Sequence, residues 1–209
     1  MIDVVTFATA HCFGDALPSS LRLRHKIFVE RQQYDVPCFD GMEFDQFDTP
    51  AAVYLLWRDG DGKVRAVARL IPTTFPYMIQ QLWPHLAADA TLPNRPDIWE
   101  VTRLGIDPDL DPAERKRAFG EIVCALGEFA MLNGVTSYLF VTHPRIMKNV
   151  LAGSGCEVEL LGPAQVLGTF TVVAGNVTIT AEALESARTC HGITSSVLRF
   201  QAEPVMNAA

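Results

Sequence analysis

Apolar and polar residues follow two periods along this chain, and these periods predict strands and helices in an interleaved order. Alternating, β-branched and aromatic runs predict strands at 52–57, 64–71, 98–106, 137–142, 157–161 and 169–173. Apolar residues three and four positions apart predict helices at 19–28, 79–86, 112–133, 144–152 and 181–190.

Turn and cap residues support several of these boundaries. The sequence Asp59-Gly60-Asp61-Gly62 between the first two strands favours an antiparallel hairpin. Ser19 and Ser20 are expected to cap the first helix, because their hydroxyls can accept its free N–H groups. Residues 34–50 hold two prolines, a glycine and five acids, which predicts a long ordered loop.

The order of the elements predicts one α/β domain over residues 1–209. Asp111 with Pro112 and Glu114 is a typical helix start, and Asn133-Gly134 is a typical helix end. Hairpins interleaved with helices indicate a mixed, mostly antiparallel sheet covered on both faces, that is, an α/β/α sandwich. The chain contains neither a Rossmann fingerprint nor a Walker phosphate loop.

Composition narrows the function classes. A formal net charge of −7 argues against nucleic acid as the main partner. We expect no membrane span and a cytoplasmic location, since neither a long apolar run nor a secretory leader is visible. The five scattered cysteines lack metal-binding or redox spacing, so free thiols are expected.

Charged residues stand inside otherwise apolar segments between positions 24 and 103. They are Arg24, Glu43, Asp45, Asp48, Arg69, Glu100 and Arg103. Unpaired buried charges are costly, so one or two of these acids should pair with Arg69 or Arg103. Another acid would remain free to hold a cationic ligand. A purely structural salt-bridge network is the alternative, and the spacing of the acids does not fit a calcium loop.

The positions of Glu100 and Arg103 have opposite parity in the strand predicted at 98–106. In a regular strand their side chains would point to opposite faces of the sheet. The two residues therefore converge on one site only if a bulge intervenes, or each meets a different partner.

The chain shows no serine, cysteine or histidine arrangement typical of a catalytic nucleophile. If the protein is an enzyme, a substrate supplies the nucleophile. The basic run Arg115-Lys116-Arg117-Ala118-Phe119-Gly120 at a helix start either binds phosphate or forms an exposed helix face. It loosely resembles the pyrophosphate motif of coenzyme A-dependent N-acetyltransferases.

A larger set of residues resembles one family. Arg24, Phe28, Glu43-x-Asp45-x-x-Asp48, Arg69 with the following Leu-Ile-Pro-Thr-Thr, Trp83, and Trp99-Glu100-Val101-Thr102-Arg103 resemble the pattern of the acyl-homoserine lactone synthases, or LuxI-type autoinducer synthases. The resemblance implies an N-acyltransferase fold, with S-adenosyl-methionine and an acyl thioester as substrates and no cofactor. The thioester donor would be an acyl-carrier protein or an acyl-CoA.

The resemblance also implies residue roles. The residues expected to bind S-adenosyl-methionine are Arg24, Phe28, Tyr34, Asp45 and Arg103. The N-terminal segment of about residues 1–40 is expected to be mobile and to become ordered on binding. Residues expected to line the acyl pocket are Trp83, Thr102 and Thr142. Contacts to the donor's phosphates or carrier protein are expected from Arg115, Lys116, Arg117, Arg145 and Lys148.

Attack by the substrate amine requires a base, because the amine is protonated at neutral pH. Glu100 is the first candidate and Asp45 the second. Glu43, Asp48, Arg69 and Arg103 are expected to orient these carboxylates through ion pairs. Backbone N–H groups at 102–105 or at 140–142 are candidates for holding the oxyanion.

Three positions depart from the family pattern. Tyr34 stands where tryptophan is usual, and Trp83 and Thr102 stand where phenylalanine and serine are common. Two other functions stay open: a coenzyme A-dependent N-acyltransferase acting on another amine, and a non-catalytic relative that binds a ligand.

Overall fold

The computed structural model describes residues 1–88, 91–147 and 156–200. The strands are β1 (Ile2–Val5), β2 (Cys38–Phe39), β3 (Met42–Glu43), β4 (Val53–Arg58), β5 (Val64–Pro72), β6 (Ile98–Ile106), β7 (Ser137–Thr142), β8 (Val158–Leu160), β9 (Gln165–Leu167), β10 (Phe170–Thr178) and β11 (Leu198–Arg199). The α-helices are α1 (Ala16–Arg24), α2 (Met78–Leu82), α3 (Pro112–Asn133), α4 (Pro144–Ile146) and α5 (Ala181–His191). A π-helix, His25–Arg31, continues α1, and 3₁₀ turns lie at Ala10–Phe13 and Pro84–Ala87.

The main sheet is mixed and mostly antiparallel, as predicted. Its strand order is β11-β1-β4-β5-β6-β7-β10-β8, with β9 paired to the first residues of β10. The pairs β1–β11 and β6–β7 are parallel, and the other pairs along this order are antiparallel. β2 and β3 form a separate hairpin inside the segment that was predicted to be a loop.

Two apolar cores cover the two faces of the sheet, which confirms the α/β/α sandwich. One core joins strand residues such as Leu55 and Leu70 to Ile122 and Phe129 of α3. The other core contains Phe28, Phe47, Tyr54 and Leu56, under α1 and the π-helix. These two layers place the π-helix and the acidic loop on one side of the sheet.

The main helix begins and ends where the sequence predicts. The Asp111 side chain accepts a hydrogen bond from the Glu114 N–H at 2.8 Å, which caps the first turn. Gly134 ends the helix in the left-handed region, with φ +66°. β6, β7 and the β4–β5 hairpin also lie within one residue of their predicted bounds.

The predicted cap of the first helix is wrong. The helix begins at Ala16, so Ser19 and Ser20 lie inside it and are buried. The Ser19 hydroxyl accepts a hydrogen bond from Val64 N–H at 3.1 Å, and Ser20 donates to Leu17 O at 2.7 Å. A tertiary contact therefore uses the Ser19 hydroxyl, and a bond within the helix uses that of Ser20.

Other elements differ from the predictions. The helix expected at 79–86 is split into α2 and a 3₁₀ turn, and β10 extends to Thr178 rather than ending at 173. The short strands β1, β9 and β11 were not predicted. Of the helix expected at 144–152, the part from 148 onward lies outside the described residues.

The strands β6 and β7 are joined along only part of their length. Parallel pairing covers Ile98–Glu100 against Ser137–Leu139, whereas β6 continues to Ile106 and β7 to Thr142. Among the described residues, β6 after Glu100 and β7 after Leu139 are therefore not paired with each other. This opening begins beside Glu100, the last residue of β6 that pairs with β7.

Candidate active site

Three arginines and three carboxylates form a closed ring of ion pairs on one face of the sheet. Going round it, the N···O distances are Arg24–Glu43 2.6 Å, Glu43–Arg103 3.0 Å, Arg103–Asp45 2.8 Å, Asp45–Arg69 2.6 Å, Arg69–Asp48 2.9 Å and Asp48–Arg24 2.7 Å. The six side chains are between 0% and 9% exposed. Each charge therefore has two opposite neighbours, which offsets the cost of burying it.

The acidic loop is folded around its own carboxylates. The Asp48 side chain accepts a hydrogen bond from Asp45 N–H at 2.8 Å, and that of Asp45 accepts one from Phe47 N–H at 2.9 Å. The Tyr54 hydroxyl of β4 donates to Asp48 at 2.7 Å. Burial by itself would raise the pKa of Asp48, but the bond from Arg24 and the charge of Arg69 hold that pKa well below its usual range.

A bulge in β6 brings Arg103 to the ring. Arg69 is opposite Thr102 and Val67 is opposite Gly105, so two steps along β5 match three along β6. Arg103 occupies the left-handed region, with φ +51°. The extra residue in β6 puts the side chains of Arg103 and Glu100 on the same face of the sheet. The bulge, one of the two predicted alternatives, is therefore present.

Glu100 lies outside the ring. Its carboxylate accepts hydrogen bonds from the backbone N–H groups of Met78 at 2.8 Å and Ile79 at 2.7 Å, at the start of α2. It forms no salt bridge with any residue that the structure describes. Burial raises the pKa of Glu100 to about 7, against the opposing effect of the two N–H groups.

The ring bears on two of the sequence predictions. Arg24 is fully buried, and its guanidinium already contacts Glu43 and Asp48. None of the three acids in the loop is left free for a cationic ligand, because each one contacts two arginines. Asp45 is consequently a weaker base candidate than Glu100.

Three aromatic side chains extend from the ring of ion pairs toward the surface. The Arg103 guanidinium lies over the Phe28 ring, 5.5 Å from its centroid, and Phe28 stacks on Tyr34 at 5.9 Å. Phe170 of β10 meets Tyr34 edge-on at 4.8 Å. Burial raises the pKa of the Tyr34 hydroxyl, and the positive charge of Arg103 opposes this rise.

The residues predicted to line an acyl pocket lie on β6, at the end of α2 and at the end of β7. Thr102 accepts a hydrogen bond from Arg69 Nε at 3.1 Å, so its hydroxyl belongs to the polar network. Trp83 is half-buried at the end of α2, and Thr142 is half-buried at the end of β7. Phe170 was not predicted as a site residue, because a phenylalanine in a strand looks like an ordinary core residue.

The basic run at the start of α3 is an exposed helix face. Arg115 and Lys116 are exposed, while Arg117 pairs with Glu121 at 2.8 Å and lies over Trp57. Gly120 supports helix packing, because a Cβ added there would lie 2.8 Å from the His191 Cβ of α5. Gly120 therefore has a packing role between α3 and α5. Arg145 is exposed on α4, and Lys148 lies outside the described residues.

A protein-family model described as autoinducer synthase matches residues 15–187. The chain belongs to this family. It is 33% identical over 183 residues to an isovaleryl-homoserine lactone synthase of Bradyrhizobium diazoefficiens, covering 83% of this chain and 78% of the relative. It is 30% identical over 169 residues to an acyl-homoserine-lactone synthase of Acinetobacter nosocomialis, covering 78% and 92%.

Solved structures agree with the sequence relatives. The CoA-dependent acyl-homoserine lactone synthase BjaI, in its complex with S-adenosyl-methionine and isopentyl-CoA, superposes with a TM-score of 0.89 at 28% identity, over 98% of this chain and 95% of that one. LasI gives a TM-score of 0.79 at 25% identity, over 90% and 94%. The predicted N-acyltransferase fold and acyl-homoserine lactone synthase activity are confirmed.

The described residues lack two features. None of their helices combines the length and the apolar character that crossing a bilayer requires. Their His, Cys, Asp and Glu side chains include no group of three or more that is suited to hold a metal ion.

Proposed function

We propose that the synthase joins S-adenosyl-methionine to an acyl thioester and that Glu100 is its general base. The observation that carries the proposal is the buried Glu100 carboxylate, which is free of arginine partners and has a pKa near 7. Such a group changes protonation state at the working pH, whereas a carboxylate held by two guanidiniums does not.

The proposed chemistry needs no nucleophile from the protein. Glu100, directly or through water, takes a proton from the substrate ammonium, and the amine nitrogen attacks the thioester carbonyl. The tetrahedral intermediate collapses to an amide and releases the thiol. The methionine carboxylate then attacks its own γ-carbon and displaces methylthioadenosine, which closes the lactone.

We place this reaction at the opening between β6 and β7. The backbone N–H groups at 140–142 and around the β6 bulge are the proposed oxyanion donors, since the β6–β7 ladder ends at Glu100 and Leu139. Trp83, Thr102 and Thr142 would then line the acyl chain.

S-adenosyl-methionine is proposed to lie against Phe28, Tyr34 and Arg103. Aromatic faces attract a sulfonium cation, and a guanidinium can hold a carboxylate. The ring of ion pairs has no net charge, so its part is to fix Arg103 and the acidic loop rather than to attract the cation. Arg24, Asp48 and Arg69 act indirectly in this way.

We further propose acyl-CoA as the donor and the cytoplasm as the location. The support for the donor is the similarity to BjaI and MesI, whose structures are both described as CoA-dependent, with TM-scores of 0.89 and 0.85. The exposed Arg115, Lys116 and Arg145 are candidate contacts for the phosphates of the donor. The free cysteines agree with a reducing compartment.

The test is an assay of purified protein with S-adenosyl-methionine and matched panels of acyl-CoA and acyl-carrier protein donors. Released methylthioadenosine and the mass of the lactone are the two readouts. Formation of both with an acyl-CoA supports the proposal. Product from acyl-carrier protein alone would overturn the donor assignment, and silence with every donor would overturn the proposed reaction.

A further inference from the structure

The hairpin of β9 and β10 contacts two parts of the proposed site, namely the Tyr34 side chain and the turn that follows Trp83. The strands pair antiparallel, with Phe170 opposite Leu167, and Gly168 in the connecting turn has φ +59°. A glycine fits this turn because it adopts positive φ without strain. The turn presents Phe170 at the start of β10, where its ring meets the edge of Tyr34 at 4.8 Å and 82°.

The same segment also contacts the turn that follows Trp83. The Gln165 side-chain amide donates a hydrogen bond to His85 O at 3.0 Å. Gly162 approaches the backbone so closely that an added Cβ would lie 2.5 Å from Leu86 O. Residues 162–170 thus touch the Tyr34 side and the Trp83 side of the site.

Tyr34 needs such support because it follows the last turn of the π-helix and precedes an exposed stretch. Its N–H donates to Phe28 O at 2.8 Å, and its ring stacks on Phe28 with an interplanar angle of 14°. Phe170 supplies a second contact from a perpendicular direction. A ring held from two directions has one preferred orientation, which lowers the entropy lost when a ligand packs on it.

We infer that Phe170 is a positioning residue for S-adenosyl-methionine binding, which acts by holding the Tyr34 ring in place. The inference rests on the proposed function, since it requires Tyr34 to contact that substrate. The hairpin then forms part of the substrate site, although it lies at the end of the chain segment that carries the family resemblance.

The size of the effect follows from the type of contact. An edge-to-face aromatic pair contributes about 0.5–1.5 kcal/mol, which corresponds to about a 2- to 12-fold change in binding. Phe170→Ala should raise KM for S-adenosyl-methionine by this factor and leave kcat within about twofold. Phe170→Tyr keeps the ring and should restore the wild-type KM.

The experiment measures KM and kcat from methylthioadenosine release, and binding of methylthioadenosine by calorimetry. Val166→Ala is the control, because Val166 lies on the same hairpin and is 69% exposed. If Phe170→Ala does not fold, Phe170→Leu replaces it, since leucine keeps apolar bulk without the ring. Melting temperatures of all variants establish that each one is folded.

A double variant tests whether Phe170 acts through Tyr34. In the Tyr34→Ala protein, Phe170→Ala should cause no further rise in KM, because the contact is already lost. An unchanged KM in Phe170→Ala, or an equal rise in both backgrounds, would overturn the inference alone. A wild-type protein that neither binds methylthioadenosine nor releases it would instead overturn the proposed function.

Discussion

At the scale of residues, the six charges of the ring and Glu100 have different environments on one face of the sheet. Each acid of the ring is shared by two guanidiniums, whereas Glu100 accepts only backbone N–H groups. We therefore propose that the ring fixes the geometry and that Glu100 exchanges the proton. This separation divides the charged cluster into a scaffold and a chemical group.

The protonation of Glu100 predicts a pH profile. With its pKa raised to about 7, Glu100 is protonated below that pH and cannot accept a proton. We expect kcat/KM, which reports the free enzyme, to rise with pH up to about 7 and then level. Glu100→Gln should lose this limb and lower kcat by a factor on the order of 10²–10⁴ while methylthioadenosine still binds.

Glu159→Gln, at an exposed glutamate of β8, is the control for the pH profile. Steady-state kinetics across the pH range, with calorimetric binding, make the comparison. A Glu100→Gln protein that keeps both near-wild-type turnover and the limb near pH 7 would show that another group is the base.

The ring predicts a large stability effect for one of its arginines. Arg69→Met leaves Asp45 and Asp48 buried with one guanidinium each, so it should lower the free energy of unfolding by about 3–5 kcal/mol. Arg117→Met is the control, because the Arg117 side chain is 68% exposed and its pair should contribute less than about 1 kcal/mol. Urea denaturation measures both; equal losses would mean that the ring contributes no special stability.

At the scale of elements, irregular features decide where the site residues lie. The bulge in β6 brings Arg103 to the same face as Glu100, and the π-helix after α1 places Phe28 under Arg103. Where α3 contacts α5, Gly120 lies against His191. A glycine that resembled part of a phosphate loop instead allows two helices to approach.

Close packing at Gly120 predicts that Gly120→Ala destabilises the protein. The added methyl would meet His191, and overpacking of this kind costs about 1–3 kcal/mol. Gly60→Ala is the matched control, because a Cβ at Gly60 meets no described atom within 4 Å. Thermal denaturation measures the difference, while KM for the donor should be equal in the two variants. A raised donor KM in Gly120→Ala with unchanged stability would restore the phosphate-binding interpretation.

At the scale of the whole molecule, the sheet forms one framework, and the site lies where that framework is interrupted. β1 pairs on both sides, with β11 and β4, so residues 2–5 are built into the sheet. We therefore propose that ordering on ligand binding concerns the segment after the π-helix. That segment carries Tyr34 and several exposed residues before β3.

This proposal predicts ligand-dependent protection. Methylthioadenosine at 100 times its Kd should raise the free energy of unfolding by about 2.7 kcal/mol. It should also slow proteolysis between residues 32 and 41. The Tyr34→Ala protein, with the weaker affinity expected of it, is the control at the same ligand concentration. Mass spectrometry of the fragments locates the cuts, and cleavage there at the same rate with and without ligand would contradict the proposal.

The sequence by itself determined α3, the strands β4 to β7, the family and the membership of the charged cluster. The caps of α3, the β4–β5 turn and the bounds of β6 and β7 depend on local patterns, and the structure agrees with the predictions made from them. The spacing of Arg24, the loop acids, Arg69 and Arg103 carried the family resemblance. Local rules suffice for these features because neighbouring residues determine them.

Only the tertiary structure decided which charges pair with one another and which one, Glu100, accepts backbone N–H groups instead. The closed ring joins residues up to 79 positions apart, from Arg24 to Arg103, and the parity of a strand does not reveal the bulge that completes it. The contact of Phe170 with Tyr34 likewise depends on a hairpin more than a hundred residues later. Pairings of this kind depend on how the layers pack, so their geometry appears only when the whole chain is folded.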